Sequence, residues 1–200
     1  MATTRVNYPS RAVEAARRVM LELVRLLGEY RDDIVVVGGW VPELLLPDAD
    51  HIGSTDVDLA LDHRALQDPG YATVLTLLKS RGYEQDPQQP FIFRRKVEVG
   101  GEPVTVEVDF LTAEYGGTGR RRRTQPVQDV RARKARGCDL AFELSEEVRL
   151  EGPLPEGGRD SALIRVASIV PFFVMKSMAL DSRLKEKDAW DIWLMRKLTL

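Results

Sequence analysis

Four β-branched residues in a row, Ile34-Val35-Val36-Val37, run directly into Gly38-Gly39-Trp40. Such a run forms a short buried strand, and glycines at its end permit a tight turn into the helix that Trp40 to Leu46 suggest before Pro47. Glycines at that turn also let the backbone approach an anion closely, because the first N–H groups of the following helix lack partners within it. By itself the pattern serves equally as a strand-to-helix turn with no ligand.

The flanking sequence sets this turn in a layered domain. Residues 10–28 place Ala12, Val13, Ala16, Val19, Met20, Leu23, Leu26 and Leu27 at steps of three and four, the period of an amphipathic helix starting at Ser10 and stopping at Gly28. Residues 55–61 alternate polar and apolar as a strand with one polar face. A helix is expected over 71–80, then strands at Phe91–Val99 and Val104–Leu111 joined as a hairpin at Gly100-Gly101. This order indicates an α+β or α/β layer fold. Residues 116–137, rich in Gly and Arg, read as a loop or a mobile basic segment. Strands are expected at 139–150 and 162–168, and helices over Ile169–Leu184 and Lys185–Leu198. The expected division is a core over 1–118 and a C-terminal extension over 119–200.

Asp56 and Asp58 carry the first chemistry. Residues two apart on a strand share a face, so their carboxylates face the same space and repel unless a cation lies between them. Mg²⁺ takes hard oxygen ligands and completes its shell with water and phosphates, which suits such a pair. On the later strand Val106-Glu107-Val108-Asp109-Phe110, Asp109 would complete the set, with Glu107, on the same strand face, as its rival. Three carboxylates can hold two metal ions roughly 3.5–4 Å apart.

The 44% hydrophobic and 30% charged composition is that of a folded, water-compatible chain. The single cysteine, Cys138, excludes an intramolecular disulfide framework, and with no signal-peptide pattern or long apolar span the expected location is cytoplasmic, away from membranes. The net charge of −2 hides a basic cluster of Arg120 to Arg123, Arg131, Arg133, Lys134 and Arg136, which reads either as a solvated loop or as a place for an RNA backbone. His51 and His63 form no metal motif, and Trp40 would either stack on a base or pack in the core.

The order GG, then Asp-x-Asp, then a lone Asp on a later strand resembles the nucleotidyltransferases of the DNA-polymerase-β-like superfamily. Gly38-Gly39-Trp40 and Asp56-Val57-Asp58-Leu59 look like the aminoglycoside and lincosamide nucleotidyltransferases and also the AbiEii-type toxins of toxin–antitoxin systems. The lysine helix Phe173–Leu180, followed by Lys187-Asp188 and Asp191, is most similar to the AbiEii pattern. Lys176, Leu180, Arg183, Lys187 and Asp191 recur at three- and four-residue steps and would share one helical face. Where this pattern usually has a small hydroxyl residue after the first glycine, Gly39 and Trp40 stand instead, so backbone N–H groups would have to serve.

The resemblance implies a mixed sheet flanked by helices and a Mg²⁺- or Mn²⁺-dependent enzyme that moves a nucleoside monophosphate from an NTP to a hydroxyl acceptor. It implies metal ligation by Asp56, Asp58 and Asp109, and catalytic roles for these with Lys176 and Asp188. Nucleotide binding would fall to Gly38, Gly39, Trp40, Thr55, Lys176 and Lys187, while Asp191 would brace the helix pair. The acceptor would be an RNA terminus, tRNA-like, or a small hydroxylated molecule, and an antitoxin is an expected partner. The reading from another class is a nucleotide-binding or toxin–antitoxin interaction protein that keeps the fold without turnover.

Overall fold

The computed structural model describes residues 10–49, 51–67, 72–114, 123–183 and 186–199. Helix α1 (Ser10–Leu26) buries Ala16, Val19, Met20 and Leu23, the stripe its spacing calls for. Strand β1 (Ile34–Val37) is buried throughout and enters a single 3₁₀ turn at Gly38–Trp40, then α2 (Val41–Leu45). Next come β2 (Asp56–Leu61), α3 (Val74–Ser80), β3 (Glu84–Gln85) and the long hairpin of β4 (Ile92–Val99) and β5 (Glu102–Ala113). The second half holds β6 (Thr124–Val127), β7 (Val130–Ala135), α4 (Cys138–Glu143), β8 (Ser145–Pro153), β9 (Arg159–Ala167), α5 (Ile169–Arg183) and α6 (Glu186–Thr199).

The strands make one open mixed sheet in the order β3-β4-β5-β2-β1-β9-β8, and β7 joins β5 with β6 beside it. Helices flank the sheet, so the chain is an α+β protein. β1 runs antiparallel to β2 and parallel to β9, and β2 runs parallel to β5. The C-terminal strands therefore extend the sheet that the N-terminal ones begin; the expected 118/119 division lies outside the described residues.

Register assigns the faces. Val36 pairs with Leu59 and Leu59 with Phe110, which puts these three on one face. That face meets α1, where Leu23, Val24 and Leu27 line a small cavity with Val36, Leu59 and Ile164. The neighbouring residues, Asp56, Asp58, Glu107 and Asp109, must then point from the opposite face. The cavity lies on the α1 side and takes no part in what the carboxylates do.

Three expectations are corrected. The strand expected over 139–150 begins only at Ser145, because Cys138 and Ala141 are buried three residues apart on the short helix α4, entered from Gly137 in the left-handed region at φ +75. The loop expected over 116–137 is, from Thr124 onward, the β6–β7 hairpin, in which Val127, Val130 and Ala132 are buried. Its turn holds Gln128 at φ 51, and the side chains of Gln128 and Asp129 accept the first N–H groups of α3, from Val74 and Leu75, at 3.1 Å each. The single face expected to run from Lys176 to Asp191 is divided between two helices that pack together, so Lys176 and Asp191 meet across the pair. Arg120–Arg122 and Lys185 lie outside the described residues, as does the side chain of Arg183.

A candidate carboxylate site at the end of β1 and the start of β2

Asp58 and Asp109 are direct neighbours on the parallel strands β2 and β5, and Asp56 stands beside Glu107 two residues earlier. Neighbouring strands are about 4.8 Å apart, so side chains paired in this way crowd together. Burial pushes the Asp58 carboxyl up to about 7, helped by repulsion from Asp56 and Asp109 and opposed by Lys176 and Arg133. Burial likewise pushes Asp109 up to about 6 against the pull of Arg133, with Asp56 and Glu107 adding repulsion.

The two rivals on β5 are separated by their surroundings. Glu107 is exposed and accepts from Arg94 of β4 at 3.1 Å, and Arg94 also pairs with Asp86 at 2.5 Å. Asp109 faces the carboxylate cluster and accepts from Arg133 of β7. Leu111 pairs with both Ala60 of β2 and Arg133, so β7 takes the side of β5 that β4 vacates after Ile92. That handover brings Arg133 to Asp109.

The two glycines are fitted to this cluster. Gly38 holds φ +74, and a Cβ on it would collide with the Asp58 carboxylate. A Cβ on Gly39 would lie 2.7 Å from Ser54 Oγ and 3.0 Å from Lys187 Nζ. Ser54, a residue not singled out from sequence, donates to Asp56 and accepts from Lys187 at 3.2 Å. A hydroxyl therefore stands beside Gly39 after all, supplied from the residue two before Asp56. The signal that could have found it is its place next to the Asp-x-Asp strand.

Of the two roles open to Trp40, stacking on a base or packing in the core, the structure shows the second. Only 1% of it is exposed, and its Nε1 donates to the Asp56 carbonyl oxygen at 2.8 Å, so it braces the start of β2 from within the core. Thr55 lies half-buried between Ser54 and Asp56.

Lys176 of α5 donates to Asp188 at 2.9 Å and to Asp191 at 2.7 Å on α6, and all three are buried. Burial acts to lower the Lys176 ammonium, but Asp191 and Asp188 outweigh it and leave it raised. His51 accepts the Gly53 N–H on Nδ1 at 3.0 Å, so its Nε2 is the nitrogen that presents a proton toward Asp191, 3.5 Å away. Asp191 braces the helix pair as expected, and His51 ties that pair to the loop before β2. His63 stands 3.3 Å from the Thr112 hydroxyl, away from this group. The buried Cys138 thiol is pushed up to about 12 by burial and is not a nucleophile at neutral pH.

Asp109 Oδ1 and Arg133 Nε are buried with no partner among the described residues. Among the described residues no group of three or more His, Cys, Asp or Glu side chains is placed to hold a metal ion as the side chains stand. Ser54 and Arg133 already engage two of the three aspartates. A divalent cation would relieve the orphaned Oδ1 and the mutual repulsion, and carboxylate oxygens are the donors that a hard metal ion takes. Comparison with protein-family models, with curated proteins and with solved structures found no match in any of the three. No described helix is long and apolar enough to cross a membrane.

Proposed function

We propose that the chain is a nucleotidyltransferase of the polymerase-β-like kind, nearest in its motifs to the AbiEii-type toxins, acting in the cytoplasm where NTPs and a reduced Cys138 thiol are both at home. It moves a nucleoside monophosphate from an NTP to a hydroxyl and releases pyrophosphate. The observation that carries this reading is the pairing of Asp58 with Asp109 across β2 and β5, with Asp56 on the same face and the Gly38 turn packed against Asp58.

Asp56, Asp58 and Asp109 would hold Mg²⁺ or Mn²⁺, which supplies charge neutralisation for the triphosphate and acidifies the attacking hydroxyl. The chain's own groups do the rest. Asp109 accepts the acceptor's proton as its oxygen attacks the α-phosphorus, and the bond to the pyrophosphate oxygen breaks. The Gly38-Gly39 backbone, Ser54 and Lys187 receive phosphate oxygens. Lys176, held by Asp188 and Asp191, puts positive charge behind Asp58 and steadies charge that builds on the phosphates. The acceptor is an RNA terminus or a small hydroxylated molecule.

A second reading, a nucleotide-binding or antitoxin-binding protein without turnover, draws on Arg133 already occupying Asp109. Incubation with each α-labelled NTP, Mg²⁺ or Mn²⁺ and total RNA or hydroxylated small molecules separates the two. Wild type should transfer label, and Asp58→Ala should transfer none while keeping its circular dichroism. Label that survives nuclease marks a small-molecule acceptor. Transfer retained in Asp58→Ala would sink the site assignment, and no NTP consumed by wild type would leave the second reading.

A further inference from the structure

Arg133 makes only half of the ion pair its position offers. Arginine and carboxylate commonly meet through two parallel hydrogen bonds. Here one nitrogen of Arg133 reaches Asp109, while Arg133 Nε and Asp109 Oδ1 are both buried and left over. The strand cannot readily shift to complete the fork, because the β6–β7 turn is tied to α3 through Gln128 and Asp129. The side chain has more freedom: it is 40% exposed, and its guanidinium stands over the Phe91 ring, 5.6 Å from the centroid. An arginine on an aromatic face is held by the ring's quadrupole and keeps its N–H donors in the plane for other acceptors. Phe91 thus offers a seat that does not require Asp109.

We infer that Arg133 is the resident counter-ion of the carboxylate cluster, one that yields Asp109 to a divalent cation and then turns its donors, from its seat on Phe91, to the phosphates that arrive with the metal. The inference rests on the nucleotidyl-transfer reading of the same site. Asp56, Asp58 and Asp109 face one another, and the positive groups that act on Asp58 are Lys176, shared between Asp188 and Asp191, and Arg133. A guanidinium and a divalent cation at one carboxylate repel each other, so metal and Arg133 compete for Asp109. A phosphate chain attracts both, so toward that ligand they cooperate. Arg133 is a positioning residue in the free protein and a phosphate ligand once the metal is bound.

The two effects have opposite signs, which a merely structural arginine would not produce. Binding of Mn²⁺ alone is followed by the electron paramagnetic resonance of the free ion, in wild type and in Arg133→Gln. Binding of inorganic tripolyphosphate, a probe with no base preference, is then measured at saturating Mn²⁺. Arg133→Gln should bind Mn²⁺ about tenfold more tightly and tripolyphosphate about tenfold more weakly, each a change of about 1.4 kcal/mol. Arg133→Lys should keep Mn²⁺ affinity near wild type. If Arg133→Gln does not fold, Phe91→Leu serves: without the ring seat, Arg133 stays on Asp109 and Mn²⁺ binds more weakly than in wild type. Mn²⁺ affinity that is unchanged or weaker in Arg133→Gln, or unchanged in Phe91→Leu, overturns this inference alone. No Mn²⁺ binding by wild type or variant overturns it together with the nucleotidyl-transfer reading.

Discussion

Asp58 and Asp109 keep their protons to about pH 7 and about pH 6 in the metal-free protein, whereas aspartates in the unfolded chain release theirs near pH 4. Between those values the native state binds more protons than the unfolded one, so stability falls as pH rises through this window and levels off above it. Asp191 works in the other direction: burial is outweighed by His51 and Lys176, its carboxyl is lowered, and its contribution is lost on acidification. Asp58→Asn removes the larger raised carboxylate. In urea unfolding without metal, the variant should match wild type near pH 4 and exceed it at pH 8, by roughly 1–4 kcal/mol. An advantage that does not grow with pH would show that burial and the neighbouring carboxylates do not raise Asp58. Asp56, Asp58 and Asp109 are legible in the sequence because a strand's period of two decides which neighbours share a face. His51 and Arg133 are not, since each acts on a residue remote in the chain, Asp191 and Asp109, whereas Ser54 acts on Asp56 two residues on but carries no motif of its own.

At the scale of elements, α5 and α6 are joined by one buried cation between two buried anions, Lys176 with Asp188 and Asp191. Removing the cation leaves two carboxylates facing each other in a medium that screens them poorly. Lys176→Met should therefore lower stability by about 3–5 kcal/mol, the cost of breaking a buried ion pair from one side. Adding Asp191→Asn should return part of that loss. Urea midpoints of the single and double variants check both statements, and a loss below about 1 kcal/mol would mean that apolar packing carries the helix pair. Activity lost in Lys176→Met alone then says little about chemistry. The strands β1, β2, β4 and β5 stand out in sequence through β-branched runs and alternation. β7 alternates too, with Val130 and Ala132 buried and Arg131 exposed between them, but its charge density masks the pattern, and Pro126 in β6 masks its partner. α4 was hidden for a different reason: six residues give too little helical period to separate from the strand that follows.

Across the whole molecule, the candidate site draws on residues that are remote in the chain: Gly38 after β1, Ser54 and the aspartates of β2, Asp109 of β5, Arg133 of β7, and Lys187 of α6. One sheet brings them together, because β2 lies between β1 and β5 and the C-terminal helices pack back over the end of β1. A ligand that touches the Gly38-Gly39 turn, the aspartates and Lys187 at once would link both ends of the sequence, and unfolding would have to release it. At about 100 times its dissociation constant such a ligand adds roughly 2.7 kcal/mol, which for a chain of this size is a rise in melting temperature of roughly 5–10 °C. Thermal unfolding with each NTP should show that rise only when Mg²⁺ is present, and Asp58→Asn should abolish it. A rise in wild type without any label transfer would favour nucleotide binding without turnover, because both readings need the nucleotide site and only one needs the acceptor. No rise with any NTP at millimolar concentration would remove the nucleotide from this site altogether, and the roles given to Lys187 and Ser54 would go with it.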